Sequence, residues 1–452
     1  MDCRAIKFEM SARMLALLVL GLMLQGGPGF AQSPLALTHV RIIDGHGGIP
    51  IEEGTLLIEG KRIVAVGAGV RIPSDAQVED LRGTTVMPGL VDMHVHLVGG
   101  WDGYGVDLLG YRRYMNALLY AGVTTVLDTG NVASYVMQLR AEVANGTLLG
   151  PRMYCVGPLV DGADPIWPDI SVAVSSADQV PSIVGRLKRD NVDFVKLYVG
   201  LSDPLIGAIS REAMKLGLRT IVDQSARNGS PDLMRQGIAG FAHAPTTVMS
   251  DSTIQLAKEK TIFFISTLAV YESFARSRFQ DLTFLDDSLI ADTMPPAFLK
   301  SFREYATRPL TPPEQASVDW AKQSLSNAKV NIKKIVDAGL LLAAGTDGQY
   351  PGDFQGEGIH RELELLVEAG LSPLQAISAA TNKAAIVLNA AEEWGTLDHG
   401  KLANVLVIAG KPDLTISDTR KIRLVIKEGK VLDRNKLKLT LENDPRFLPI
   451  SP

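Results

Sequence analysis

The stretch Val86–His96 reads VMPGLVDMHVH, an apolar run that is broken by a Pro-Gly pair and ends in two histidines. Side chains alternate between the two faces of a strand, so His94 and His96 point the same way. If the strand lies in a parallel barrel, both imidazoles face the mouth at its C-terminal end. Neutral imidazole suits zinc and neighbouring ions, so the pair predicts half of a metal site. Two histidines with ordinary hydrogen bonds at a strand end remain the alternative for this motif alone.

Downstream of this stretch, strand-like apolar runs alternate with segments of helical composition. The predicted strands, each followed by a helical segment, are Leu90–His94, Val123–Asp128, Arg152–Val156, Asp193–Tyr198, Arg219–Asp223, Gly240–His243, Ile262–Thr267 and Leu340–Asp347. Glycines stand where several helices should end before the next strand. Eight such units predict an α/β fold, the (β/α)8 TIM barrel. A doubly wound open sheet is the competing fold, and the absence of a Gly-rich phosphate turn after the first strand disfavours it.

Both ends of the chain are rich in short strands with glycine-containing turns. Leu35–Gly69 contains three runs of alternating character, and the segment after Lys401 contains three more. Neither flank is long enough to bury a core of its own, so we predict that the two pair. The predicted organisation is a small β-sandwich domain built from residues 32–85 and 391–452, with the barrel at residues 86–390 between them.

The predicted barrel contains one long insert, residues 269–317, which is rich in aromatic residues and prolines. Insertions at the C-terminal side of a barrel commonly cover the active site, which makes this segment a candidate lid. A surface excursion with helices of its own explains the composition equally well.

The first 31 residues have the features of an export signal. A basic start precedes the apolar run Met14–Leu24, and small residues at Gly29 and Ala31 fit a cleavage site. The run is shorter than the roughly 20 residues that a membrane-spanning helix needs, although an uncleaved anchor remains an alternative. We therefore predict a mature chain that begins near Gln32, has no integral membrane span and is periplasmic or secreted.

The composition of the 452-residue chain, with 46% hydrophobic and 21% charged residues, is typical of a globular protein. The net charge is −5 and no long basic run occurs, which disfavours a nucleic-acid partner. Cys3 lies in the predicted signal, so Cys155 is left alone and is expected to fill the core rather than form a disulfide. Homo-oligomerisation stays open.

Polar residues recur where the predicted strands end. Lys196 interrupts an apolar run in the fourth strand, His243 ends the sixth, and Asp347 ends the eighth. Buried lysine and aspartate are rare unless they are paired or bind a metal. Catalytic residues of a barrel come from the ends of several strands, so these three residues and the two histidines of the first strand together predict a metal site.

These motifs make the chain resemble the amidohydrolase superfamily. The residues that carry the resemblance are PGLVDMHVH, the fourth-strand lysine, the sixth-strand histidine and the GTD sequence of the eighth strand. The imidazolonepropionase-like and prolidase-like branch is the most similar, and the resemblance runs from about Leu35 to Asp433. It implies a metal-dependent hydrolase with one or two divalent ions, zinc being the expected ion.

The resemblance also implies roles for individual residues. His94 and His96 would bind the more buried metal together with Asp347. Lys196 would be carboxylated on its side-chain nitrogen and bridge two metals, and His243 would hold the second. Burial favours that modification because it depresses the pKa of an amine.

The chain departs from the family pattern at the end of the fifth strand, where the family has a histidine and this sequence has Asp223. A carboxylate can bind zinc, manganese or iron, so Asp223 could replace the imidazole in a two-metal site. The other interpretation is a single tight metal at His94, His96 and Asp347, with a weak or absent second.

A metal at this point implies hydrolysis of an amide, a cyclic amide or a related C–N bond by metal-bound hydroxide, with Asp347 as the catalytic proton carrier. Ester hydrolysis needs the same groups. Tyr198, Arg227 and His360 are candidates for binding a small-molecule substrate, and Arg227 could pair with a substrate carboxylate. Each could equally have a structural role. The rival function is an inert relative that binds metal or a small molecule without turnover.

Overall fold

The computed structural model describes residues 33–98, 107–224 and 227–439 of the chain. The predicted export signal, residues 1–31, and the predicted mature N-terminus at Gln32 lie outside the described residues. None of the helices in these ranges is both long and apolar enough to cross a lipid bilayer.

The N-terminal flank forms five short strands: β1 (Leu35–Ile42), β2 (Ile51–Glu59), β3 (Arg62–Gly67), β4 (Gln77–Asp80) and β5 (Thr85–Pro88). β1 pairs antiparallel with β2, and β2 pairs antiparallel with β3, as the alternating sequence pattern predicts. β5 and β4 instead run parallel to β1. The flank is therefore a mixed sheet.

The central region has a strand at each of the eight predicted positions and two further short strands, β9 and β10. In chain order the strands are β6 (Leu90–Val95), β7 (Val123–Asp128), β8 (Arg152–Cys155), β9 (Leu159–Asp161), β10 (Ser171–Ala173), β11 (Phe194–Leu197), β12 (Arg219–Asp223), β13 (Gly240–Ala242), β14 (Phe263–Ile265) and β15 (Leu342–Ala343). They form a three-stranded sheet, β6-β7-β8, and a seven-stranded sheet, β10-β9-β11-β12-β13-β14-β15. The strand pairs within both sheets are parallel.

Backbone hydrogen bonds connect these two parallel sheets at both edges. The Met93 N–H donates to the Ala344 carbonyl at 3.0 Å, and the Asp347 N–H donates to the His94 carbonyl at 2.8 Å. At the other edge the Asp193 N–H donates to the Cys155 carbonyl at 2.8 Å. The C-terminal ends of β6 and β15 are thereby held side by side. Cys155 itself is fully buried, as the sequence predicts.

Helices separate the parallel strands. Their bounds are α1 (Tyr111–Tyr120), α2 (Ala133–Asn145), α3 (Val180–Arg189), α4 (Asp203–Lys215), α5 (Pro231–Arg235), α6 (Asp251–Glu259), α7 (Leu268–Phe274), α8 (Ser288–Ala291), α9 (Pro296–Thr307), α10 (Pro312–Asp337), α11 (Glu357–Glu368), α12 (Pro373–Ala379) and α13 (Asn382–Val387). The glycines predicted to end helices have the positive φ that favours glycine there, for example 79° at Gly122 and 70° at Gly217.

The C-terminal flank adds β16 (Val405–Ile408), β17 (Ile422–Lys427) and β18 (Lys430–Val431). These strands join the N-terminal flank in one sheet of order β18-β17-β16-β5-β1-β2-β3, in which β4 also pairs with β1. The connection is the antiparallel pair of β16 and β5, which places Val86 opposite Val407. Apolar residues of both flanks share one buried cluster, which supports the predicted pairing of the two ends.

The Pro-Gly pair of the opening stretch marks the passage from this mixed sheet into the first parallel strand. β5 ends at Pro88 and β6 begins at Leu90. A Cβ on Gly89 would lie 2.3 Å from the Thr124 hydroxyl oxygen, so only glycine fits where the chain crosses between the two layers.

Candidate metal centre and its cavity

A solvent-open cavity of about 950 Å³ lies at the C-terminal ends of the parallel strands. The predicted metal-site residues all line it, and they are His94, His96, Lys196, Asp223, His243 and Asp347. Three of them lie in β6, β11 and β12, and the other three follow β6, β13 and β15. The structure therefore brings together residues that are up to 253 positions apart in the printed sequence.

One carboxylate oxygen of Asp347 contacts both histidines of the opening stretch. Asp347 Oδ1 lies 3.4 Å from His94 Nε2 and 3.2 Å from His96 Nε2. The ring centroids of His94 and His243 are 4.5 Å apart. One potential ligand atom from each of His94, His243 and Asp347 lies within 4.8 Å of the others, a spacing that a single cation can bridge.

Asp223 contacts the other two members of the group. Its Oδ2 atom lies 3.4 Å from Lys196 Nζ and 3.2 Å from His243 Nε2. Both Lys196 and Asp223 are only 1% exposed. A buried lysine needs a partner, and the carboxylate at the end of the fifth strand supplies one.

Neighbouring groups orient the imidazoles. His96 Nδ1 lies 2.9 Å from the Gly130 carbonyl, which can only accept, so Nδ1 carries the proton and the Nε2 lone pair is available. His243 Nδ1 lies 2.7 Å from the Thr267 hydroxyl. His94 Nδ1 is buried and has no hydrogen-bond partner in the described part of the chain. A buried nitrogen without a partner is costly, so packing and hydrogen bonding alone do not account for His94.

Burial and neighbouring charges act differently on the pKa values of His94 and His96. Burial, with the nearby Lys196 ammonium and two imidazoles, holds the pKa of His94 well below its ordinary value. Burial acts in the same direction on His96, but the Asp347 carboxylate outweighs it and raises the pKa of that imidazole. His94 is thus neutral at pH 7.

Asp92 is a further residue of the site that the sequence interpretation missed. One of its oxygens accepts from the His94 N–H at 3.1 Å and the Thr346 N–H at 3.0 Å, and the other accepts from the Thr346 hydroxyl at 2.7 Å. Burial raises the pKa of Asp92 to about 7 despite these bonds. The contacts tie β6 to the segment after β15 and so fix His94 relative to Asp347. An aspartate within the apolar VDMHV run was the available signal.

Backbone conformation singles out the same positions. Asp347 and His243 have φ values of 64° and 69°, and Thr267, which contacts His243, has a φ of 49°. Residues other than glycine seldom adopt this left-handed region, and such strain clusters at functional sites. These three residues lie one to four positions after β13, β14 and β15, where each chain segment leaves its strand.

The three predicted substrate-binding residues have different outcomes. Tyr198 lines the cavity, and its hydroxyl accepts a hydrogen bond from the Trp167 indole N–H at 3.0 Å. Arg227 does not line it, because its Nη2 donates to the carbonyls of Val199 and Leu201 at 3.0 and 2.6 Å.

The interpretation of His360 as a substrate-binding residue is corrected by the structure. His360 is fully buried in α11, with Nε2 2.9 Å from the Ala121 carbonyl and Nδ1 3.0 Å from the Thr419 hydroxyl. The predicted rim position assumed a loop, whereas α11 begins at Glu357 and turns this imidazole into the core.

The wall of the cavity comes from segments to which the sequence assigned no role. Residues 159–170, which include β9, contribute Leu159, Trp167 and Ile170, and Tyr350 faces the cavity from the segment after β15. The described residues of the insert 269–317 are not among the lining residues; they pack largely into an apolar cluster of their own. Within the insert, the ring of Tyr271 lies 6.4 Å from that of His243.

Comparison with known proteins gives consistent results. The sequence profile of the amidohydrolase family matches residues 85–432. A deacetylase from Agrobacterium fabrum is 36% identical over 177 residues, which cover 39% of each chain. An imidazolonepropionase from a Geobacillus species is 22% identical over 375 residues, or 79% of this chain and 84% of the relative. The crystal structure of a putative prolidase from Bifidobacterium longum superposes with a TM-score of 0.71 at 25% identity, covering 92% of this chain and 98% of the other. The chain thus spans well under half the length of the deacetylase.

Proposed function

The chain belongs to the amidohydrolase family, and from that premise we propose that it is a metal-dependent hydrolase of a carbon–nitrogen bond in a small molecule. Membership of the family confirms the resemblance inferred from the HxH, lysine, histidine and GTD motifs. The expected substrates are an amide, a cyclic amide or a related compound. Relatives named as a deacetylase, an N-acyl-D-aspartate deacylase and an imidazolonepropionase support this reaction class.

The observation that carries the proposal is the convergence of three imidazoles and one carboxylate at a single buried point. His94, His243 and Asp347 bring ligand atoms within 4.8 Å of one another, and His96 contacts the same carboxylate. Nitrogen and oxygen donors of this kind suit zinc, and the partnerless Nδ1 of His94 fits a metal centre better than a hydrogen-bonded one.

The number of ions depends on Lys196 and Asp223. With two ions, Asp223 and His243 would hold the second and a carboxylated Lys196 would bridge the pair. With one ion, Asp223 is the counter-ion of an unmodified Lys196. The 3.4 Å contact of Lys196 with Asp223 and the compact group of His94, His243 and Asp347 favour the single ion.

A bound divalent ion supplies Lewis-acid activation of water and of the substrate carbonyl. The residues of the chain provide the rest. Asp347 lies beside both histidines of the first strand, where its carboxylate can accept a proton from water and deliver it to the leaving nitrogen. The Tyr198 hydroxyl, held by Trp167, can donate to a substrate oxygen. Leu159 and Ile170 restrict water at the side of the cavity.

The fold that underlies this function is the (β/α)8 barrel, with a β-sandwich domain from the two flanks. Parallel pairing of the eight strands and the backbone bonds at both sheet edges support closure. The domain bounds remain 32–85 and 391–452 for the sandwich and 86–390 for the barrel.

The protein is also proposed to be exported after removal of residues 1–31. N-terminal sequencing of the protein recovered outside the cytoplasm should return a start near Gln32. Recovery of the chain with Met1 intact would contradict a cleaved signal.

Metal analysis of the purified protein tests the function directly. Protein reconstituted with zinc or manganese should retain at least one ion per chain after dialysis and hydrolyse members of a panel of N-acyl amines, N-acyl amino acids and Xaa-Pro dipeptides. Metal binding without turnover of any of these would favour the inert relative. Absence of metal binding after reconstitution would overturn the enzyme proposal.

A further inference from the structure

The charges on the cavity wall are unevenly distributed. Among the described lining residues the single lysine or arginine is Lys196, which is 1% exposed and lies 3.4 Å from Asp223. Outside the metal-site group, the charged side chain of the wall is Asp169, an exposed carboxylate. Among the described residues, the wall outside the metal-site group therefore offers a substrate anion no lysine or arginine partner.

The undescribed internal stretches do not change this balance. Residues 99–106 read GGWDGYGV and residues 225–226 read SA, so neither contains a lysine or an arginine. Their one charged residue is Asp102, which is negative.

Arg227 is the residue that the sequence suggested for binding a substrate carboxylate. Its side chain is 7% exposed, Nη2 bonds to two backbone carbonyls, and Nε lies 3.9 Å from the Asp203 carboxylate. Nε and Nη1 have no hydrogen-bond partner among the described residues, yet the guanidinium is not part of the cavity lining. Arg227 thus stabilises the loop after β11 through hydrogen bonds to its backbone carbonyls.

Apolar and aromatic groups dominate the remaining wall. Trp167 is fixed through its indole N–H to Tyr198, and the Tyr350 ring packs edge to face against Phe274 with centroids 4.9 Å apart. Leu159 and Ile170 complete the surface near Trp167. Restrained rings of this kind bind an aromatic or aliphatic group at little entropic cost.

We propose that the cavity selects an uncharged amide, carbamate or urea with an aromatic or apolar group, and discriminates against substrates that carry a carboxylate on the leaving-group side. This inference rests on the proposed hydrolase function. A carboxylate that leaves water without a cationic partner is strongly disfavoured, and here it would also face Asp169. A site lacking the matching polar partner rejects such a group, and we expect selectivity on the order of 10²-fold.

Two compounds that differ by one carboxylate provide the test. N-acetylphenethylamine and N-acetylphenylalanine should be offered to the zinc-reconstituted full-length protein, and kcat/KM measured for each. The neutral compound should be preferred on the order of 10²-fold. Equal rates, or preference for the carboxylate, would overturn the inference while leaving the hydrolase function intact.

Binding is measured in parallel, so that absence of turnover is also informative. Trp167 provides a fluorescence signal, and a Trp167→Phe variant identifies its contribution among the four tryptophans. Binding of the neutral compound alone, without turnover, would support the inference and contradict the proposed function. Failure of both compounds to bind would overturn the inference.

Matched variants test which residues cause the discrimination between the two compounds. Ile170→Arg places a cation on the wall and should reduce the selectivity about tenfold, whereas Ile170→Met is the neutral control. Arg227→Gln should leave the ratio of the two kcat/KM values unchanged. Selective loss of the carboxylate substrate in Arg227→Gln would overturn the inference, because it would make Arg227 an anion-binding residue. If Arg227→Gln fails to fold, the two Ile170 variants still test the inference. A ratio of the two kcat/KM values that is unchanged in Ile170→Arg would overturn it.

Discussion

Two buried clusters of charged residues in this molecule differ in how their negative charge is balanced. The Glu357 carboxylate faces two guanidinium groups: Arg278 and Arg420 contact it at 2.9 and 2.8 Å, and Arg420 also contacts Glu364 at 2.7 Å. In the cavity, the Asp347 carboxylate faces imidazoles instead.

The difference shows which cluster has its charge balanced by the protein alone. Burial acts to raise the pKa of Glu357, but Arg278 and Arg420 outweigh it and lower that pKa to about 2. The cavity has no such surplus of positive charge, and His94 Nδ1 lacks a partner within the described residues. The first cluster is neutralised by the chain itself, whereas the second fits an added cation. The predictions below test this distinction.

Replacing Asp347 should give the largest effect on function. Asp347→Asn should reduce kcat/KM on the order of 10²-fold or more, because it removes a proposed metal ligand and the proton carrier together. Bound metal should fall while the urea unfolding midpoint changes little. Asp337→Asn, at the C-terminal end of α10, is a suitable control, since Asp337 is equally an aspartate, is exposed and does not line the cavity. Full activity in Asp347→Asn would place the chemistry elsewhere.

Replacing Glu357 should lower stability and leave metal binding unchanged, the reverse of the result expected for Asp347. Glu357→Gln leaves two guanidinium groups partly uncompensated in the core, and loss of one partner of a buried ion pair costs about 3 kcal/mol. Urea denaturation of the metal-free protein should show that loss. Metal content at saturating zinc should remain that of the parent, and a drop in stoichiometry would mean that the two clusters are not independent.

The pH dependence of stability tests the ion pairs of Glu357 separately from the cavity. Glu357 has a folded pKa of about 2 against an ordinary value of 4.5, so its contribution to the free energy of unfolding is complete above pH 4.5 and is lost as the pH falls towards 2. The stability difference between parent and Glu357→Gln should therefore shrink over that window. A difference that stays constant from pH 5 to pH 2.5 would contradict the assigned ion pair.

Replacing Asp223 should give the smallest of these effects. The result distinguishes a one-ion centre from a two-ion centre. In a two-ion centre, Asp223→Ala should lower metal content below that of the parent, and Asp223→His should retain it, since imidazole binds the same ions. In a one-ion centre, all three proteins should bind about one ion per chain. Inductively coupled plasma mass spectrometry of the three proteins, with circular dichroism as a check on folding, separates the cases.

The sequence predicted the strands and the cavity group well because both have local signals. Apolar runs marked each parallel strand, and polar residues at their ends, such as Lys196 and Asp347, were unexpected in such surroundings. The carboxyl ends of neighbouring parallel strands lie at the same side of a sheet, which brings the residues at those ends together.

Features that depend on long-range packing were not predictable in the same way. Trp167 lies in an irregular segment between β9 and β10, where no periodicity indicates which face meets the cavity. His360 was misplaced because burial of a helix face depends on what packs against it, here Ala121 and Thr419. The ion pairs of Glu357 join residues 63 and 79 positions away, which no local pattern reveals.

The antiparallel pair of β5 and β16 has a consequence for the order in which the protein can be made. Val86 and Val407 are partners, so the strand that leads directly into His94 waits for nearly the whole chain to be synthesised before its neighbour exists. Until then β5 has an unpaired edge, which other chains could occupy. Contacts so distant in sequence also slow folding. Formation of the first parallel strand is thereby coupled to the arrival of the C-terminal flank, and the edge of β5 stays unpaired until that flank has been synthesised.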